Sequence, residues 1–154
     1  MNTVAFVLVL LTAAQGSQRA STSPSIVFVC EHGAAKSVIA TAYFNKLAAE
    51  RGLPFRAIFR GKAPQAELSV KTVAGLQADG LAVPEGKPTA IGDQDIVHAT
   101  HIFAIGCTLP EKARASEKGA DWSDVPDDQG YGPMRDAILR HVITLLDELQ
   151  KTPK

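Results

Sequence analysis

The sequence predicts an α/β sandwich around a central parallel sheet, and three observations carry that prediction. From residue 25 onward, short apolar runs alternate with segments of helical periodicity, the pattern of strands joined by crossover helices. The first run, Ser25-Ile26-Val27-Phe28-Val29-Cys30, is apolar and β-branched with no polar alternation, as a strand covered on both faces requires. The last segment, from about Pro133 to Gln150, sets Ile138, Val142, Leu145 and Leu149 on one stripe, so a long helix closes the core. With 154 residues, 45% of them hydrophobic, the chain can bury one substantial core and has the size of one domain.

The elements follow in order. The strand 25–30 runs into Glu31-His32-Gly33-Ala34-Ala35-Lys36-Ser37, a short loop that leaves a thiol at its mouth. Ser37 suits the N-cap of the next helix, whose Ile39, Tyr43 and Leu47 are spaced by four and which stops at Gly52. Phe55-Arg56-Ala57-Ile58-Phe59 reads as the second strand. A second helix covers Ser69 to Ala78, with Val70, Val73, Ala74 and Leu76, and ends at Gly80; a short one covers Asp93 to Ala99. Another apolar run, Ile102-Phe103-Ala104-Ile105, precedes the last helix, whose Pro133 suits a first turn. No internal repeat is visible.

The backbone N–H groups of the loop and the N-terminus of the helix behind it create positive potential around Cys30. Such surroundings favour the thiolate and make the cysteine a nucleophile. The bland alternative is a buried structural cysteine, since free Cys is among the most buried residue types.

Strand, Cys30, five residues, the basic Lys36, Ser37 and then helix resembles the low-molecular-weight protein tyrosine phosphatases and the arsenate reductases built on the same fold. His32 and Ala35 match positions common in the arsenate reductase branch. The similarity continues through Arg60-Gly61, through Pro88-Thr89-Ala90-Ile91 with Asp93-Gln94-Asp95-Ile96, and through the run 102–105. Asp124-Val125-Pro126-Asp127-Asp128 is similar to the loop in which an Asp followed by Pro supplies the general acid.

The resemblance implies a three-layer sandwich with a central parallel four-stranded sheet and a phosphate-binding loop between the first strand and first helix. It implies that Cys30 attacks, that Glu31, His32, Gly33, Ala34, Ala35, Lys36 and Ser37 bind a tetrahedral oxyanion, and that Asp127 is the acid. Asp124 and Asp128 read equally well as solvated loop charges. The sequence departs from the family pattern at three places: Lys36 stands where Arg is expected, Gly33 where Asn usually steadies the loop, and Asp128 where the acid is followed by Pro.

The Lys36 departure is not conservative. A guanidinium presents a planar fork of donors to two oxygens, whereas an ammonium is a flexible point charge. Losing one well-placed donor to a developing oxyanion costs on the order of 3 kcal/mol, about a hundredfold in rate. Two readings follow: a slow enzyme, or an anion binder that no longer turns over.

Cys107 follows the run ending in Gly106, close to where thioredoxin-coupled arsenate reductases carry a resolving cysteine. The resemblance therefore implies a redox partner for Cys30 and a thiol reductant as a partner of the protein; the alternative is a small residue at a strand end. Those reductases use a third cysteine, and this chain has two. His98, His101 and His141 have no metal-like spacing, so neither a metal nor a cofactor is expected. His32 reads as a solvent-exposed loop histidine. Tyr43, Trp122 and Tyr131 read as packing residues, with Tyr131 also placed to line the entrance to a site.

The 16 basic and 16 acidic residues balance and form no long run, which disfavours nucleic-acid binding by bulk electrostatics. Residues 1–24 read as a signal peptide and linker. Val4 to Ala14 is an uncharged apolar segment too short to span a bilayer. Ala14-Gln15-Gly16 offers small residues for cleavage, and a Ser/Thr-rich linker precedes residue 25. Met1-Asn2-Thr3 lacks the usual basic residue. This reading expects a mature chain from near Ser17 with no stable membrane anchor, periplasmic or secreted, with the cytoplasm as the other location. The domain proper is 25–154.

Three functions are weighed. The first is a cysteine-dependent phosphatase acting on phosphate monoesters, the second an arsenate reductase, and the third a degraded module that binds a phosphate monoester or other oxyanion without turnover.

Overall fold

A computed structural model describes residues 25–127 and 129–151; the expectations for residues 1–24 and for Asp128 lie outside them. The elements run β1 (Ser25–Cys30), α1 (Lys36–Glu50), β2 (Arg56–Gly61), α2 (Val70–Ala78), α3 (Asp93–His98), β3 (Ala99–Ala104), α4 (Glu111–Ala115), β4 (Gly119–Asp121) and α5 (Tyr131–Lys151). The four strands form one parallel sheet in the order β2-β1-β3-β4, flanked by helices on both faces as expected.

The β1 sequence explains its central place. Ile26, Val27, Phe28 and Val29 are completely buried, and because side chains alternate between faces they divide between two cores. Ile26, Phe28 and Cys30 pack with Ile39 and Phe44 of α1 and with Ile138 and Leu146 of α5. Val27 and Val29 pack on the other face with Ile102, Leu109 and Ala113. A third cluster joins Val38 and Ala42 of α1 to Phe59 and Leu76. On the α1/α5 face, Phe28, Phe103 and Trp122 form an aromatic group with centroids 4.9–5.6 Å apart.

The predicted stripe on α5 is buried in full. The helix begins at Tyr131, two residues before Pro133, which still lies in the first turn, where the missing N–H has no acceptor to lose. Val70 opens α2 but is 82% exposed, and Thr72 and Leu76 carry the buried face instead. The four-stranded sheet that the resemblance implies is present, its fourth strand being β4, whose position the sequence does not mark; α4 was not expected. The three residues of β4 are all exposed, so no apolar pattern marks them, and pairing with β3 alone makes them a strand.

Candidate active site

Cys30 ends β1, and the chain turns at once through residues 31–35 into α1. The site therefore lies beyond the carboxyl ends of the strands, the usual binding edge of an open α/β sheet. Gly33 adopts φ +61°, and a Cβ there would come within 2.8 Å of the Gly61 nitrogen. Gly61 has the reciprocal contact at 2.9 Å with the Gly33 nitrogen. The two glycines thus let the loop lie directly on the end of β2.

Loop carbonyls are bonded outward by the segment that follows β2. Lys62 N donates to Cys30 O (3.0 Å), Ala63 N to Glu31 O (2.7 Å), Gln65 N to His32 O (3.2 Å) and Ser69 N to Ala34 O (3.0 Å). These bonds tie the loop to the segment after β2.

The expectation that Ser37 caps the helix is corrected. Helix α1 starts at Lys36 with Ala35 at the N-cap and no side-chain cap bond. Ser37 is fully buried, and its hydroxyl lies 3.2 Å from Cys30 Sγ. The hydroxyl is used by the sulfur. The N–H groups of the first turn, uncapped by any side chain, stay available to an anion.

A cleft of about 570 Å³ opens over the thiol. Of the loop residues proposed to bind an oxyanion, Glu31, His32, Ala34, Ala35 and Lys36 line it with Cys30. Gly33 and Ser37 do not line it; they lie behind, against Gly61 and the sulfur. His32 is exposed, with Nδ1 3.2 Å from Ala63 O.

Lys36 is 7% exposed, and its ammonium donates to the carboxylate of Asp127, which lines the same cleft. Lys36 and Asp127, the two residues expected to hold the oxyanion and to serve as the acid, are thus joined by an ion pair. Gly106, which also lines the cleft, stands beside the pair at φ +64°, where any Cβ would overlap Lys36 Nζ. Gly106 lies two residues past the end of β3, in a stretch whose sequence marks it only as part of an apolar run. Gln65, Ser69 and Met134 also line the cleft and were not foreseen.

Asp127 is held at the rim by the segment between β4 and α5. Trp122 is buried and stacks on His141 of α5 at 4.7 Å and 11°. Asp124 accepts from His141 Nε2 at 2.6 Å, and that bond holds its carboxyl below the usual range. Asp124 is thereby an anchor of the loop, as distinct from Asp127 in the cleft.

Tyr131 does not line the entrance. Its hydroxyl and that of Tyr43 both donate to Asp79 Oδ2 at 2.7 Å, with Arg135 3.1 Å from Oδ1. The Tyr131 ring lies where a Cβ on Gly75 would be, 2.5 Å from its carbons. This cluster ties α1, α2 and α5 together.

Cys107 is half-buried and faces a separate cleft of about 300 Å³ with Arg114 and Asp121. Its thiol is 3.5 Å from Val29 O. Burial, with Cys30 nearby, pushes its pKa up to about 11. Cys30 and Cys107 are both free. Among the described residues no three potential ligands gather into a metal site.

The sheet order, the loop between β1 and α1 and the helices on both faces define the fold shared by low-molecular-weight protein tyrosine phosphatases and arsenate reductases. YfkJ from Bacillus subtilis superposes with a TM-score of 0.73 at 20% identity, over 85% of this chain and 97% of that one. A low-molecular-weight phosphotyrosine phosphatase from Vibrio cholerae O395, VcLMWPTP-2, gives 0.69 at 16% identity, over 83% and 97%. A thioredoxin-dependent arsenate reductase from Corynebacterium glutamicum, Cg_ArsC1', gives 0.68 at 21% identity, over 85% of this chain and 64% of that one. No family model and no curated protein matches the sequence.

Proposed function

We propose that the protein is a cysteine-dependent phosphatase that binds a tetrahedral oxyanion at residues 30–37 and hydrolyses phosphate monoesters. The observation that carries this reading is one cleft that holds a thiol with a hydroxyl 3.2 Å from its sulfur, a buried ammonium and a carboxylate at the rim. In this reading the Cys30 thiolate attacks phosphorus, forming an S–P bond as the P–O ester bond breaks. The leaving oxygen takes a proton from Asp127. Water then attacks the phosphocysteine and gives its proton to Asp127, releasing phosphate and the thiolate. Lys36 and the N–H groups of the loop hold the oxyanion throughout.

The test is turnover of a small aryl phosphate by the reduced full chain, with Cys30→Ser as control. Activity lost in the control supports the phosphatase. Activity no greater than the control overturns it and leaves oxyanion binding without turnover.

Arsenate reduction is the competing enzyme reading, supported by the His32 and Ala35 matches and by the fold of the C. glutamicum reductase. A thiol relay through Cys107 is weakened by its raised pKa and its separate cleft, because the thiolate is the attacking species.

A further inference from the structure

Strand β2 ends the sheet on one side, and its outer edge is closed at both ends and open between them. Alternate residues of a parallel strand direct their backbone groups to the same side, so Ala57, Phe59 and Gly61 face outward together. Asn45 of α1 serves Ala57, accepting from its N–H at 2.7 Å and donating to its carbonyl at 3.0 Å. Residues 89–91 serve Gly61: Thr89 O accepts from its N–H at 2.9 Å and Ile91 N donates to its carbonyl at 3.1 Å. At Phe59 the carbonyl accepts from the Arg60 guanidinium at 2.8 Å, but no group among the described residues meets the N–H across this edge.

A groove of about 780 Å³ follows the same edge, between α1 and the segment 80–89. It is larger than the cleft over Cys30 and shares no lining residue with it. Ile58, Phe59, Leu81, Val83 and Pro84 give it an apolar wall. Thr41 lines it too, 2% exposed, with a hydroxyl that has no hydrogen-bond partner. A threonine within a helix ordinarily turns that hydroxyl to a carbonyl of the preceding turn. Unpaired buried polar groups are rare, and a backbone donor and a hydroxyl left unpaired along one groove both suit an entering acceptor oxygen.

The charge of the groove has one sign. Lys46, Arg56 and Lys87 line it against a single acid, Glu85. Arg60 lines it as well but is neutralised by both carboxylate oxygens of Asp95, at 2.8 and 2.9 Å. Lys46 and Lys87 pair only with the exposed carboxylates of Glu50 and Glu67, and such pairs hold weakly in water. Arg56 has no ion-pair partner among the described residues.

We propose that this groove binds an organic carboxylate, its apolar body against Leu81, Val83 and Pro84 and its carboxylate accepting from the Phe59 N–H among these cations. An inorganic anion would leave the apolar wall wet, whereas the volume lies within the about 300–1,000 Å³ of small-molecule sites and takes a ring with a short chain. The site is separate from residues 30–37 and does not depend on the phosphatase reading.

The test is amide NMR of the isotope-labelled full chain, titrated with phenylbutyrate and, separately, with phenylbutanol, which keeps the apolar body and lacks the charge. The expected result is a saturable downfield movement of the Phe59 amide proton, as a new hydrogen bond produces, with shifts at Leu81 and Val83. The dissociation constant should be about tenfold lower for the acid than for the alcohol and unaltered by excess inorganic phosphate. Arg56→Gln, an exposed change, should weaken the acid by about threefold or more and leave the alcohol unaffected. Equal affinity for acid and alcohol would overturn the recognition of a carboxylate. No saturable shift with phenylbutyrate, or shifts confined to the cleft over Cys30 and abolished by phosphate, would overturn the site.

Discussion

The hydroxyl of Ser37 lies 3.2 Å from the sulfur of Cys30, with both residues buried beneath the loop that joins β1 to α1. A hydroxyl in that place donates to a thiolate more strongly than to a thiol, since hydrogen bonds to charged groups contribute about 1.5–3 kcal/mol. Replacing Ser37 with Ala should slow alkylation of Cys30 by iodoacetamide at neutral pH by about tenfold or more. Cys107 should stay unmodified under the same conditions, because burial pushes its thiol up to about 11. Mass spectrometry of the alkylated peptides counts both sites, and equal rates in parent and variant would remove Ser37 from any role in thiol reactivity.

At position 36 the expected effect has the opposite sign. Lys36→Arg restores a planar pair of donors to the oxyanion, and turnover of an aryl phosphate should rise by about tenfold to a hundredfold in kcat/KM. A variant that folds, binds phosphate and shows no gain would point to a binding module in which more than the cation has been lost.

Gly33 offers a test of the loop's backbone. Asn tolerates positive φ better than most residues, and it is the residue the resemblance expects here. The obstacle is Gly61, whose nitrogen is 2.8 Å from a Cβ at position 33. Gly33→Asn should therefore destabilise the fold by about 2 kcal/mol in urea unfolding, and Gly33→Ala by more. An Asn variant as stable as the parent would mean that the loop relaxes away from β2 at little cost.

Both tyrosines of the chain, Tyr43 and Tyr131, donate to Asp79. Burial and the Asp79 carboxylate raise the pKa of Tyr43 to about 12 and push Tyr131 higher still. A free phenol titrates near pH 10, so an alkaline absorbance titration of the folded protein should show no tyrosinate step there. The sign of the linkage follows: folded phenols hold their protons where unfolded ones release them. Stability from this cluster is therefore full below about pH 10 and is lost as pH rises toward 12.

The same cluster acts in acid. The hydroxyls of Tyr131 and Tyr43, with Arg135, hold the Asp79 carboxyl below its ordinary value. That contribution is present above about pH 4 and is lost as pH falls through the lowered value. Asp79→Asn should flatten both limbs of the stability profile measured by urea unfolding, and an unchanged profile would show that the clasp between α1, α2 and α5 is energetically idle.

Much of the fold was legible along the chain because it depends on local patterns. The unbroken apolar run 26–29 required cover on both faces, and the stripe from Ile138 to Leu149 required a partner on one; the cores of the sheet supply them. Strand β4 was not legible, because Gly119-Ala120-Asp121 has no apolar face and is a strand only through its neighbour. Ser37 was placed as a cap because Ser before a helical pattern is a local signal; its hydroxyl serves the sulfur across the loop instead.

What the sequence by itself determined is the parallel α/β architecture of residues 25–151 and the thiol at the mouth of a loop that opens a helix, since hydrophobic period and residue type suffice for both. Only the tertiary structure decided how the cleft is wired. Lys36 and Asp127 stand 91 positions apart and meet as an ion pair, Gly106 makes room for that pair, and Tyr131 turns away to Asp79. The physical reason is reach: propensity and periodicity act over a few residues, whereas an ion pair, a backbone contact between two glycines and a shared carboxylate depend on distances set when the helices pack on the sheet.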